Sequence, residues 1–175
     1  RLSDYEVSKC KNTLKTLREK ALLELMLSAG PRVGEICNLK IENLDFERGE
    51  IQIYGEKSSK WRTCFMTPDC RVALEQYVSG RTEGYIFLNS RNVETGKPLC
   101  KATIEEIAKE IAERAGCRNV ATVHVYRKTF ASKEYLRTKD ILYVSHRLGH
   151  ANTAVTEKYY ICDDILADRK MANVA

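Results

Sequence analysis

LDFERGEIQIYGEKSSKWRTCFM (residues 44–66) carries three short β-type runs and two turn signals. Residues 44–46 and 50–54 are parted by Glu47-Arg48-Gly49, and a third run, 63–66, follows the polar stretch 55–62. Such runs, bounded by polar turns, predict a three-stranded antiparallel sheet. A sheet this small cannot form the core, so helices must supply it. The fold class expected is therefore α+β, mainly α-helical with a small three-stranded antiparallel sheet on one side. Upstream, Ser3 and Glu6 have the spacing of a capping box. Leu14, Leu17, Ala21, Leu22, Leu25 and Met26 then recur on one helical face, until Gly30 and Pro31 stop it. A short helix over about 32–40 follows, with Val33, Ile36, Cys37 and Leu39 as its apolar side. Downstream, Thr67-Pro68-Asp69 opens a helix reaching about Tyr77. A short run at 85–88 and a loop at 92–98 lead to Ile104, Ile107, Ala108, Ile111 and Ala112, again at helical spacing. From residue 125 onwards the pattern predicts three or four short helices, with a turn at Thr138-Lys139-Asp140.

The length of 175 residues fits one compact unit. Lys and Arg number 29 against 24 Asp and Glu, a net charge of +5, which permits a nucleic-acid partner without demanding one. The seven cysteines (Cys10, Cys37, Cys64, Cys70, Cys100, Cys117, Cys162) include no C-x-x-C pair, which argues against zinc or dithiol chemistry. They read as small thiols in a reducing compartment. The most apolar stretch, 21–29, is too short for a bilayer and holds Glu24. The expectation is a soluble cytoplasmic protein with no membrane partner.

Four separated segments carry chemistry-bearing residues. They are Ala29-Gly30-Pro31-Arg32-Val33-Gly34-Glu35-Ile36, then Gly55-Glu56-Lys57-Ser58-Ser59-Lys60-Trp61-Arg62, then His124-Val125-Tyr126-Arg127-Lys128-Thr129-Phe130-Ala131, and finally Leu148-Gly149-His150 with Tyr159 nine positions later. G-x-R-x-x-E alone and H-x-x-R alone are weak signals, and L-G-H followed at nine residues by a tyrosine is a moderately specific one. Together, in this order, they resemble the tyrosine site-specific recombinase family, which includes the phage integrases, over roughly residues 17–164. Two departures stand out. Tyr126 and Lys128 occupy positions where the commoner family pattern has leucine and a second histidine. Glu56 intrudes between Gly55 and Lys57.

The resemblance implies roles. Tyr159 would be the nucleophile, with Tyr160 as its obvious competitor. Arg32, Arg127 and His150 would hold the scissile phosphate, with His124 assisting in proton transfer or phosphate contact. Lys57 would protonate the leaving oxygen, although Lys60 stays open as the alternative. Glu35 would orient Arg32. Lys60, Arg62 and Lys128 would contact DNA. The implied reaction cleaves and rejoins double-stranded DNA through a 3′-phosphotyrosine. It needs no cofactor, metal or small-molecule substrate, and runs in a homotetramer on DNA in a prokaryote or virus. The chain would be one catalytic domain, residues 1–175, without the family's amino-terminal DNA-clamping domain. Its tail, 160–175, would pack either on a neighbouring protomer or back on its own.

The physical chemistry agrees with the resemblance. Attack on a phosphodiester adds charge to its non-bridging oxygens, and planar guanidinium groups grip two such oxygens at once. One well-placed donor to developing charge is worth on the order of 3–4 kcal/mol. A phenol has a reference pKa of about 10, so nearby cations are needed to favour its anion. Each residue also has a plain alternative. Arg32 and Glu35 could be solvated helix residues, Lys57 and Lys60 solvated loop residues, and His124 and His150 helix caps. Three other functions share parts of the pattern. They are a type IB topoisomerase-like enzyme, a non-catalytic helix-turn-helix DNA-binding module built on residues 126–147, and a helical interaction protein.

Overall fold

Helix α2 (Leu17–Ala29) is buried nearly all round, and the remaining elements are arranged about it. A computed structural model describes residues 1–56, 58–89, 96–117, 121–150 and 153–156, with backbone alone at 153 and 155. Leu22, Leu23 and Leu25 are fully buried, as is Met26, and a helix apolar on every side belongs in an interior. Its two buried carboxylates are matched by cations from flanking helices. Glu24 pairs with Lys11 of α1 (Asp4–Asn12) at 2.8 Å, and Glu19 with Arg114 of α5 (Lys101–Arg114) at 2.6 Å. Helices α4 (Pro68–Val78) and α6 (Val123–Thr138) complete the packing around α2.

The caps follow the sequence. Ser3 Oγ accepts from the Glu6 N–H at 3.2 Å, and Glu6 Oε2 accepts from the Ser3 N–H at 2.9 Å, closing the capping box. Thr67 caps α4, with Pro68 at its first turn. Leu14, however, lies between helices. Thr16 accepts from the Glu19 N–H (3.1 Å), and the Glu19 side chain accepts from the Lys15 N–H (2.8 Å), so α2 starts afresh behind its own cap. The helix ends at Gly30, whose φ of +56° puts it in the left-handed region. A Cβ there would run into the Phe130 ring of α6, so the close crossing of α2 and α6 depends on glycine. The next helix, α3 (Val33–Asn38), is shorter than expected and begins after Arg32, which is its cap residue.

The sheet has the expected strand number, order β1-β2-β3, antiparallel throughout: β1 (Leu44–Asp45), β2 (Glu50–Gly55) and β3 (Lys60–Phe65). The third strand begins earlier than its apolar run suggests. Lys60 pairs with Gly55, Trp61 with Tyr54 and Arg62 with Ile53, so these polar residues lie in the ladder and not in the turn. Strand alternation then sends Arg62 inward alongside Cys64, while Trp61 and Phe65 face outward.

The last third corrects the expectation of uniformly short helices. No Gly or Pro interrupts residues 123–138, and α6 runs for 16 residues. It ends at Lys139, in the left-handed conformation, within the anticipated turn. Asp140 caps α7 (Ile141–Leu148) by accepting from the Tyr143 N–H at 2.9 Å, and a four-residue helix α8 (Thr153–Thr156) follows.

Candidate active site

Arg127 projects from α6 into the interior and is only 3% exposed. It donates to the Gly30 carbonyl at the end of α2 and to the Leu148 carbonyl at the end of α7, the latter at 2.6 Å. Terminal helix carbonyls lack intrahelical partners, so one guanidinium closes two helix ends. Its Nη2 also lies 3.2 Å from Nε2 of His150.

His150 is placed by the way α7 ends. The Gly149 N–H donates to the His146 carbonyl at 3.0 Å, and the His150 N–H donates to the Ser145 carbonyl at 3.1 Å. This paired closure requires a left-handed residue, and Gly149 has φ +65°. A guanidinium can only donate, so Nε2 of His150 accepts and its proton resides on Nδ1. Nδ1 then donates to Thr156 Oγ1, 2.8 Å away in α8. Burial, reinforced by the charges of Arg127, Arg32 and Arg62, lowers the His150 pKa from 6.5 to about 4. The ring is neutral at pH 7.

Glu35 organises the other half of the site. Its side chain is 2% exposed and accepts from Arg32 twice, at the backbone N–H (2.8 Å) and at Nη1 (3.1 Å). It also receives a two-pronged grip from Arg62, at 2.9 and 2.7 Å. Burial alone would raise its carboxyl pKa, but the Arg62 hydrogen bonds and charge outweigh that and leave it below the usual range. Arg62 Nε donates to the Arg147 carbonyl at 3.0 Å, joining β3 to α7. A Cβ at Gly149 would stand 3.0 Å from Arg62 Cδ, so the same glycine that turns the chain toward His150 also admits Arg62. The ladder points Arg62 at Glu35, so its guanidinium donates there and to the Arg147 carbonyl while the side chain also borders the open cleft beside His150. Arg147 fastens the seam, its guanidinium 4.9 Å from the Phe65 ring and 5.8 Å from those of Phe130 and Tyr143.

An open cleft of about 610 Å³ lies between the β2–β3 turn and α7, lined by Ser58, Lys60, Trp61, Arg62, His146, Gly149 and His150. Arg32 reaches His150 electrostatically from the α3 side. Thus Arg32, Glu35, Arg62, Arg127 and His150 form one connected group, and Lys60 shares their cleft. His124, one helical turn before Arg127, is exposed and outside that hydrogen-bonded group. Partial burial, then the charges of Lys128 and Arg127, lower its pKa. Lys128 is half-buried beside it. Lys57 and Tyr159 lie outside the described residues, as does the tail 160–175. Sequence reasoning missed Thr156 and gave Trp61 no role, while His146, which reads from the sequence as structural or a backbone contact, borders the cleft and accepts from the Gly149 N–H. Trp61, the single tryptophan in a polar turn, was a visible signal; Thr156 carried none. Among the described residues no group of three or more His, Cys, Asp or Glu could hold a metal, and no helix is long and apolar enough to cross a membrane.

Residues 1–164 match the profile of the Phage integrase family. The chain belongs to that family. Its integrase-family relatives include the tyrosine recombinase XerA of Pyrococcus horikoshii, 32% identical over 160 residues that cover 90% of this chain and 55% of the relative. The chain spans about half the length of the curated relatives it matches. A crystal structure of XerA recombinase superposes with a TM-score of 0.78 at 29% identity, covering 90% of this chain and 58% of that one. The XerH recombinase, solved bound to its difH substrate before cleavage, shares the fold with a TM-score of 0.76 at 22% identity, covering 91% and 50%. The integrase-family fold is therefore mainly helical with a three-stranded antiparallel sheet, as the sequence predicts.

Proposed function

We propose that this chain is the catalytic part of a site-specific DNA recombinase that cuts and rejoins double-stranded DNA through Tyr159. The observation that carries this reading is the grouping of Arg32, Arg127 and His150 on one scaffold beside an open cleft. In the reaction the Tyr159 oxygen bonds to phosphorus as its phenolic proton passes to a base, the part that the family resemblance gives to His124. The bond from phosphorus to the 5′ oxygen breaks, leaving a 3′-phosphotyrosine. Lys57, with Lys60 as the alternative, gives the leaving oxygen its proton. A 5′ hydroxyl from a second strand then reverses these steps, so no external energy source is required.

The buried hydrogen bonds support the electrostatic roles. Both guanidinium groups are fixed before substrate arrives, so little reorganisation is needed as charge develops on phosphate oxygens. Arg127 donates to Nε2 of His150. A phosphate oxygen entering there takes over that donor and frees Nε2, and a shift of the ring proton from Nδ1 to Nε2 turns His150 into a donor to phosphate. Assembly as a homotetramer on two duplexes is part of the same proposal and rests on the family resemblance.

The test is a nicked suicide duplex whose short cleaved fragment diffuses away. A covalent protein–DNA adduct that survives denaturant is expected from the wild type and absent from Tyr159→Phe. Retention of DNA that salt abolishes, with no adduct, would instead mark a binding module.

A further inference from the structure

We propose that Trp61 is the stacking platform for the nucleobase next to the scissile phosphate when the cut strand leaves its partner. This deepens the recombinase reading and rests on it. Trp61 is the only tryptophan of the chain and is 60% exposed, although it sits in a regular strand. Its cross-strand partner is Tyr54, 44% exposed, with ring centroids 5.3 Å apart and planes inclined at 56°. Such a pair stabilises a hairpin, which accounts for the contact between the two rings. It does not account for the bare remainder of the indole, nor for the cleft that Trp61 shares with Lys60 and His150. On its other side Trp61 borders a crevice of about 30 Å³ with Tyr54, Asn38 and Gln52, so the ring is backed by protein. The other large aromatic on that strand face, Phe65, is already used beneath Arg147.

The chemistry of the reaction supplies the occupant. Strand exchange requires the bases beside the cut to leave their complements, and an unstacked base loses its neighbours' π contacts. An aromatic ledge beside a cation replaces them without regard to sequence, because every base has a π face. Lys60, adjacent to Trp61, supplies the charge that matches the attached phosphate.

The single tryptophan makes the test direct. Wild-type chain is mixed with the nicked suicide duplex, and its emission is excited where tyrosine does not absorb. Formation of the adduct is expected to quench that emission strongly, as stacking on a base does. Trp61→Leu should form adduct within about threefold of the wild-type rate but join it to a second duplex about tenfold or more slowly. Trp61→Phe, which keeps a ring, should recover most of that loss. Adduct formation with unchanged wild-type emission would overturn the platform and leave the recombinase reading standing. Trp61→Leu exchanging strands at the wild-type rate would do the same. Failure of the wild type to form any adduct would bring down the recombinase reading, and this one with it.

Discussion

Glu35 stands at the meeting point of two arginines, and its replacement separates structural from DNA-contacting charge. Breaking a buried ion pair strands its partner, so Glu35→Gln and Arg62→Ala should each cost about 3 kcal/mol in urea denaturation. Lys60→Ala, at an exposed position, should leave the denaturation midpoint alone while lowering the salt dependence of DNA binding by about one counterion. An Arg62→Ala chain as stable as wild type but weaker on DNA would reverse the inward assignment of that residue. His150 gives a pH signature. Its folded pKa of about 4 lies below the ordinary 6.5, so the unfolded chain takes up the proton first. The stability involved is complete above pH 6.5 and is lost as pH falls from there towards 4. Because the ring is half in solvent, the effect should be about 1 kcal/mol, and denaturation curves of His150→Gln should lack that slope. Arg32, Glu35, Arg127 and His150 were legible because motif spacing along the chain carries them. The direction of Arg62 was not, since it is set by strand alternation and by a carboxylate 27 residues away.

At the level of elements, the hairpins and caps were readable because their signals are local. Glu47-Arg48-Gly49 turned the chain as its composition requires, and Thr67-Pro68 opened α4. The start of β3 was hidden, because Lys60 and Arg62 look like turn residues until Gly55 and Ile53 are seen opposite them. The length of α6 was hidden for the opposite reason. Its buried residues, Tyr126, Arg127 and Phe130 among them, include the polar groups of the site, which break the apolar stripe a reader looks for. The break between α1 and α2 went unseen because Leu14 keeps helical phase with residues beyond it. Helix ends matter most here, since α2 and α7 both deliver their last carbonyls to Arg127. Gly149→Ala should therefore do more than strain a left-handed residue. Lost stability of about 1–2 kcal/mol is expected in thermal melts, and adduct formation should slow more than the stability loss explains, because the new methyl presses on Arg62. Adduct formation at the wild-type rate would separate the α7 closure from the chemistry.

Across the whole molecule, the burial around α2 and the polar network of the site are separate sources of stability, and only the second is proposed to meet phosphate. The interior around α2 contributes burial, and truncating it should cost stability without touching phosphate. Leu22→Ala, at a fully buried position, should lower the free energy of unfolding by about 3 kcal/mol while the remaining folded chain forms adduct normally. A comparable loss of adduct at temperatures where the variant is fully folded would argue against that division. The mild net charge of +5 carries little of the proposed nucleic-acid reading, because the cations that reading uses are few and grouped, and most of the 29 basic residues are balanced by acidic ones. Arg62 occupies the boundary between the two regions. One end of β3 is pinned by it to α3 and α7, while Lys60 and Trp61, just beyond, border open solvent. The strand thus behaves as a lever resting on a fulcrum. Under the proposed function, a duplex pressing on Lys60 and Trp61 would load that outer end, and the pin at Arg62 would stand between the load and the arginines and histidine proposed to meet the phosphorus.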